Sequence, residues 1–178
     1  MVDGDRFKPT NDGDVMSPDK KPLRSAHSKR SIVAARLRPD PDDPYEVVFF
    51  KRHANEDSTE AIPGQAFLRS CPTNVQAKMF AIATQVATAP PPRFAGGGLW
   101  EAMHGDLTGL HEVRVDGKNR HHYRIFCRLD TEAIGRGPLL VVLCGADKPF
   151  KTEFTTADYR LVTELFAEYQ SHNPRSLA

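Results

Sequence analysis

The fold of this chain is decided by residues 99–151, which read LWEAMHGDLTGLHEVRVDGKNRHHYRIFCRLDTEAIGRGPLLVVLCGADKPFK. Arginines and histidines alternate there with apolar residues, and Asp116-Gly117 separates two of the alternating runs. Alternation is typical of a strand with one buried face, and Asp-Gly is typical of the turn between antiparallel strands. We therefore predict a three-stranded antiparallel meander over Leu110–Val115, His121–Leu129 and Pro138–Gly145, with one face packed on a core and the other carrying cations.

The segments around this meander predict a single α+β domain. The β-branched and aromatic run YEVVFFKR at 45–52 predicts a strand. Apolar residues at helical spacing predict helices over 61–69, 73–89 and about 155–171, with Thr73 as the cap of the second helix. The predicted order is β-α-α-β-β-β-α, a small antiparallel sheet with two N-terminal helices and one C-terminal helix.

The first 44 residues differ in composition from the rest of the chain. They contain many Asp, Lys, Pro and Ser residues, and PDPDDP at 39–44 marks a boundary. We predict a disordered or loosely attached extension over 1–44, in which SIVAARLR at 31–38 could add an edge strand, and a folded domain over 45–178. The extension could be a docking or regulatory arm, or a solvated segment with no specific role.

Composition restricts the class of protein. The chain has 178 residues, 39% of them hydrophobic and 26% charged, which is ordinary for a globular protein. No apolar run is long enough to span a membrane, and MVDGDRFKPT has no signal-peptide core, so we expect a cytoplasmic protein without a membrane partner. The three cysteines have neither disulfide nor zinc spacing and predict buried, reduced thiols. Nucleotide and metalloprotease motifs are absent, so we expect no metal and no cofactor.

Positive charge is local rather than global. Net charge is +1, and residues from Tyr45 onward contain 15 Lys and Arg against 15 Asp and Glu. Between His111 and Arg128, however, there are five Lys or Arg, three His and only two acids. Any affinity for phosphate must therefore come from this segment. Its candidate substrate-binding residues are Lys118, Arg120 and Arg128.

Two arginines are the best candidates for binding a phosphate. Alternation places His122, Arg124 and Arg128 on one face of the second meander strand, and Arg114 on the corresponding face of the first. Pairing through the turn brings Arg114 near Arg124, where a phosphate could be held bidentately. His121 and His122 could transfer protons near neutral pH. Alternatively, the arginines are ordinary solvated charges, each weakly paired with Glu112 or Asp116.

The chain from Tyr45 to the last helix resembles the RelE/ParE superfamily of bacterial toxins, and is most similar to its HigB-type, phage-derived branch. The similarity lies in an ordered set of segments: YEVVFF, the helical pair AFLRSCPTNVQAKMFAI, and the strands GLHEVRV, HHYRIFCRLD and LLVVLCGADKPFKT. In this resemblance Arg114 and Arg124 match the family's strand arginines, and Lys148 and Lys151 match its lysine pair. His122 or His121 is the candidate for proton transfer, and Tyr159 is a further contributor from the last helix.

The resemblance implies a toxin of a type II toxin–antitoxin system that cleaves mRNA on the ribosome. The RNA 2′-hydroxyl attacks its own 3′ phosphate, so neither a metal nor a cofactor is needed. The implied partners are an antitoxin protein, the ribosome and mRNA, with possible self-association. Two other functions stay open on the same fold: a gyrase-inhibitor-like binding protein, and a non-catalytic phage or host interaction module.

Overall fold

The computed structural model describes residues 44–91, 96–118 and 120–178. The predicted extension, with its candidate strand at 31–38, lies outside the described residues except for Pro44. No helix within the described ranges is long and apolar enough to cross a membrane.

The described residues form an α+β fold of five strands and three α-helices, which confirms the predicted class. Both N-terminal helices, the three meander strands and the closing helix are present near their predicted positions. The elements are β1 (Glu46–Phe49), α1 (Pro63–Ser70), α2 (Thr73–Thr88), β2 (Trp100–Ala102), β3 (Leu110–Asp116), β4 (His121–Asp130), β5 (Leu139–Pro149) and α3 (Thr156–Ser171).

The sheet is mixed, so the prediction of a purely antiparallel sheet was wrong. Its strand order is β1-β5-β4-β3-β2. The meander β3-β4-β5 is antiparallel as predicted, but β1 runs parallel to β5, with Glu46 opposite Leu139. Residues Leu139–Cys144 are buried on both faces, which is typical of a central strand with a neighbour on each side. The chain between β1 and β5 contains α1, α2 and three strands, which is long enough for the crossover that parallel pairing needs.

A short strand, β2, was missed from the sequence and changes the predicted order to β-α-α-β-β-β-β-α. Trp100 pairs with Val113 and Ala102 with His111, so β2 forms the edge next to β3. Three residues are too few to show alternation, and the glycines at 96–98 immediately before them predict a loop.

Two buried clusters lie on the two faces of the sheet. One lies between the sheet and helices α1 and α2, and includes Val75, Met79, Val113, Ile125 and Val142. The other lies under α3, and includes Phe50, Leu110, Phe126, Leu165 and Tyr169. The face predicted to carry cations is therefore half apolar, because the apolar stripe of α3 needs a surface to cover. Most of its polar side chains lie at the end of the sheet near the β3–β4 turn, whereas Arg128 and Asp130 lie toward the other end of β4.

The N-termini of α2 and α3 differ in how they are capped. Pro72, not Thr73, occupies the cap position of α2, and no side chain caps that helix. Helix α3 begins with a capping box: the Asp158 amide donates to the Thr155 hydroxyl over 3.2 Å, and the Thr155 amide donates to the Asp158 carboxylate over 2.7 Å. Each side chain satisfies a backbone amide that the helix leaves unpaired.

The C-terminal residues are tied to the sheet by a buried ion pair and by backbone pairing. The Arg175 guanidinium lies 3.0 Å from the Asp130 carboxylate, which also accepts the Tyr169 hydroxyl over 2.6 Å. The Ala178 amide donates to the Phe49 carbonyl over 2.9 Å. The outer edge of β1 is thereby covered by the residues that follow α3.

Candidate functional site

Six charged side chains and His122 occupy the α3 side of the sheet at the end near the β3–β4 turn, and we call this surface the polar face. They lie in three rows set by strand register. Glu101 is opposite Glu112, Arg114 is opposite Arg124, and His122 lies between Asp116 and Lys148. Like charges directly opposite each other repel, so the glutamate row and the arginine row each depend on charges in the neighbouring row.

The predicted juxtaposition of Arg114 and Arg124 is confirmed by the register. The Arg114 guanidinium bridges two carboxylates: it lies 2.5 Å from Glu101 and forms a close pair with Glu112. This pairing with Glu112 is the contact that the alternative interpretation predicted. Arg114 holds together two glutamates that would otherwise repel each other, and its five donors are largely occupied.

Arg124 makes longer contacts with carboxylates than Arg114 does. Its Nε lies 3.7 Å from Glu112 and its Nη1 lies 3.8 Å from Asp116, both longer than a hydrogen bond. The only hydrogen bond that its side chain makes within the described residues runs from Nη1 to the Tyr123 carbonyl, over 2.9 Å. Burial lowers the pKa of Arg124 and the Glu112 carboxylate opposes that shift, so the guanidinium stays protonated at neutral pH. Arg124 therefore keeps donors that an anion could use.

Glu112 is a central member of the polar face that the site prediction did not include. Its residue exposure is only 7%, and it lies between the two arginines. A buried carboxylate is costly unless cations and donors surround it. The alternation placed Glu112 on the same side as Arg114, and that placement was the available signal for a charge shared between them.

His122 is oriented by a carboxylate and an aromatic ring. Its Nδ1 lies 2.6 Å from an Asp116 oxygen, and its ring stacks on Phe150 with centroids 4.3 Å apart. When Nδ1 donates its proton to Asp116, the lone pair of Nε2 is left to accept one. His122 therefore has the arrangement of a positioned base one row from the arginines.

His121 lies on the other side of the sheet and is not brought to the arginines. Its Nδ1 is 2.7 Å from Asp147, and its ring lies beside Tyr123, a member of the α1–α2 cluster. Neighbouring residues of a strand point to opposite faces. Of the two predicted histidines, only His122 joins the polar face.

Four of the predicted substrate-binding cations gather at the turn end of the sheet. Lys118 and Arg120 lie in the β3–β4 turn, and the Phe150 amide donates to the Arg120 carbonyl over 2.8 Å, which ties that turn to the residues between Lys148 and Lys151. Lys148 covers the ring of Phe154 at 4.7 Å. The side chains of Lys118, Arg120 and Lys151 are exposed.

Arg128 lies apart from this group. It is opposite Leu110 and Val141, its Nη1 donates to the Gly109 carbonyl over 2.7 Å, and its guanidinium lies over Phe166 at 5.7 Å. The structure thus places it several residues along β4 from Arg124, in contacts that stabilise the loop before β3.

An open cleft of about 710 Å³ separates the polar face from the start of α3, and its lining includes Glu112, Arg114, His104 and Tyr159. The Tyr159 ring packs edge-on against Phe126 and Phe154. Burial and the Glu112 charge raise the pKa of the Tyr159 hydroxyl, while the arginines oppose that shift. The hydroxyl therefore stays protonated and can donate at neutral pH.

Trp100 and His111 lie on the side of the sheet that faces α1 and α2, away from the polar face. Trp100 is buried, and the His111 ring stacks on it with centroids 4.7 Å apart. Burial lowers the pKa of His111. His111 lies on the same side of β3 as Val113, and a buried Trp100 offers no ring face to a base.

Within 44–91, 96–118 and 120–178, no group of three His, Cys, Asp or Glu side chains could hold a metal ion. Cys71, Cys127 and Cys144 are buried and free, as predicted. Comparison of the chain with protein-family models, with curated proteins and with solved structures gives no match in any of the three.

Proposed function

We propose that this chain is a metal-independent endoribonuclease, the toxin of a type II toxin–antitoxin system, which cleaves mRNA on the ribosome in the cytoplasm and is held inactive by an antitoxin. The observation that carries the proposal is the Arg114–Arg124 pair, opposite each other on neighbouring strands and one row from the His122–Asp116 hydrogen bond. Two guanidiniums and a positioned imidazole are the groups that metal-free phosphate cleavage needs.

The proposed reaction uses the nucleophile that RNA carries. The Nε2 atom of His122 removes the proton of the 2′-hydroxyl, and the 2′-oxygen forms a bond to the adjacent phosphorus. Arg124 stabilises the charge that develops on the phosphate oxygens, and such a donor contributes about 3–4 kcal/mol to catalysis. The bond from phosphorus to the 5′-oxygen then breaks, and that oxygen takes a proton from a donor for which Tyr159 is the candidate. The products are a 2′,3′-cyclic phosphate and a 5′-hydroxyl end.

The test maps the 5′ ends of mRNA after purified protein is added to a reconstituted translation reaction, with naked mRNA in parallel. We expect 5′-hydroxyl ends at ribosome-occupied codons for the wild type, and none for Arg114→Ala/Arg124→Ala. The matched control is Arg69→Ala/Arg136→Ala, which removes the same charge at exposed positions away from the polar face. Message left intact by folded wild-type protein would refute the proposal.

Replacing Arg114 with alanine also removes the cation closest to the buried Glu112. The variant Arg114→Ala/Arg124→Ala could therefore lose activity because it unfolds. Arg124→Lys avoids this, because it keeps the charge and removes only the planar guanidinium. We expect at least a tenfold loss of cleavage for Arg124→Lys, with a thermal unfolding midpoint close to that of the wild type. Full activity in Arg124→Lys would show that the guanidinium of Arg124 is not used.

One observation favours the second candidate, a non-catalytic interaction module. The Arg114 guanidinium is already neutralised by Glu101 and Glu112, so the polar face offers less free positive charge than its arginines suggest. On this alternative, overexpression leaves growth unaffected without any antitoxin, and the translation reaction leaves mRNA intact.

A further inference from the structure

A second open cleft, of about 620 Å³, lies between α2 and the ends of β3 and β4. Arg114 lines both this cleft and the one beside α3, so the two clefts share this residue. The residues that line the second cleft are Lys78, Ala81, Ile82, Gly98, Leu99, Arg114, Val115, Asp116 and Arg124.

Three cations from three different elements face this cleft: Lys78 from α2, Arg114 from β3 and Arg124 from β4. Lys78 is exposed, and it makes no ion pair with any residue in the described part of the chain. The single carboxylate in the lining, Asp116, is hydrogen-bonded to His122. Arg114 is already paired with Glu101 and Glu112, so the available positive charge of this cleft comes from the Lys78 ammonium and the Arg124 guanidinium, which makes no hydrogen bond to a carboxylate of the described residues. An anion in the cleft would be stabilised by these two cations.

The wall next to these cations is apolar. Leu99 is 47% exposed, and Ala81, Ile82 and Val115 lie along the same cleft. A cationic group beside an apolar wall suits a ligand that has an anionic part and a flat apolar part. A nucleotide has both, because its phosphate needs cations and the face of its base packs on apolar surface.

We propose that Lys78 is a phosphate-binding residue and that this cleft holds the nucleotide next to the cleavage site in single-stranded RNA, with its base against Leu99. The chain would cross from the α3 side to the α2 side of the sheet at Arg114. This inference rests on the proposed function for the identity of the ligand as RNA, but it does not require cleavage.

The test is equilibrium binding of a fluorescent single-stranded oligonucleotide whose 2′-hydroxyls are all methylated, so that it has no nucleophile. Fluorescence anisotropy is measured at several KCl concentrations for the wild type, Lys78→Ala, Lys78→Arg and Leu99→Ser. The matched control is Arg69→Ala, which removes one exposed cation from α1. Thermal unfolding of each variant confirms that it is folded.

We expect Lys78→Ala to weaken binding about five- to tenfold near 0.1 M salt and to reduce the slope of log K against log salt by about 0.7, the value for one phosphate contact in a single strand. Lys78→Arg and Arg69→Ala should retain both values. Leu99→Ser should weaken binding without changing the slope, because its contact is with a base.

Two results would overturn the inference: a wild-type protein that does not bind the oligonucleotide at low salt, or a Lys78→Ala variant that behaves like Arg69→Ala. These results are separable from the cleavage test. Binding that depends on Lys78 in a protein that leaves mRNA intact would support the cleft and refute the endoribonuclease. If the wild type cleaves mRNA but Lys78→Ala binds the oligonucleotide as the wild type does, the result would support the endoribonuclease and refute the role of the cleft.

Discussion

Replacing Asp130 with Asn tests the buried ion pair that fixes the residues after α3. Asp130 is 3% exposed, and the side chain of its partner Arg175 is 9% exposed. Asparagine keeps the shape and can still accept a hydrogen bond from Tyr169. It removes the charge that pairs with Arg175 at 3.0 Å, and breaking a buried pair by removing one partner costs about 3–5 kcal/mol.

Three backbone carbonyls reduce this cost. The Nη1 atom of Arg175 also donates to the carbonyls of Tyr169, Gln170 and His172, over 3.3, 2.8 and 2.9 Å. The guanidinium is therefore not left without acceptors, and we expect Asp130→Asn to lower the free energy of unfolding by about 2–4 kcal/mol. Urea denaturation at pH 7 measures this, with the exposed Asp106→Asn as control.

The pH dependence of the free energy of unfolding is a second test of the same prediction. Burial alone would raise the pKa of Asp130, but hydrogen bonds from Tyr169, the Glu132 amide and Arg175 lower it below its ordinary value. A lowered pKa contributes stability above the unfolded pKa of about 3.9, and this stability is lost as the pH falls through the folded pKa. The difference between wild type and Asp130→Asn should therefore shrink below about pH 4.

The reasoning would be refuted by an Asp130→Asn variant within about 0.5 kcal/mol of the wild type at pH 7. A further variant isolates the pair: Asp130→Asn/Arg175→Met leaves no buried charge at this position, and we expect it to be more stable than Asp130→Asn alone. If it is less stable, the carbonyl contacts of Arg175, rather than its charge partner, hold the segment.

Three further predictions concern packing, capping and thiol chemistry. A Cβ at Gly145 would overlap the Phe67 ring, so Gly145→Ala should lower stability by about 1–3 kcal/mol in urea denaturation; an unchanged midpoint would mean that α1 shifts freely. Thr155→Ala removes half of the capping box with Asp158 and should cost about 1 kcal/mol, whereas Thr155→Ser should cost little. Burial raises the pKa of the Cys71 thiol to about 11, so its labelling by a thiol reagent at pH 8 should be much slower in the native protein than in urea; equal rates would contradict that burial.

The meander could be predicted because its signals are local. Alternation around Val113 and Ile125 and the Asp116-Gly117 turn fixed which residues face each other, and the Arg114–Arg124 pairing followed from that register. The parallel partner of β1 could not be predicted, since no local pattern states which distant strand lies beside a given one. Strand β2 is short and is held by its pairing with β3 rather than by its own composition.

The cations of the polar face could be predicted from the sequence. The burial of Glu112 and the participation of residues from other elements could not. Strand alternation put Arg114, Arg124 and His122 on one side, but it does not show that Glu112 is buried and shares a cleft with α3, because the position of α3 over the sheet is set by tertiary packing. The participation of Glu101 depends on β2, and that of Lys78 depends on where α2 crosses the ends of β3 and β4. These residues carry no motif, and only the packed elements bring them together.

The pairing of β1 with β5 has a consequence for how this domain forms. The run Val47–Phe50 emerges early in synthesis, and its hydrogen-bond partners on β5 come after every other strand and after α1 and α2. Strands β3, β4 and β5 can meanwhile pair with their neighbours in sequence, and such local contacts form fastest. We expect the meander to be the folding nucleus, with β1 as the last strand to join. Until then its apolar residues are an unpaired edge, the segment through which a nascent or destabilised chain would aggregate.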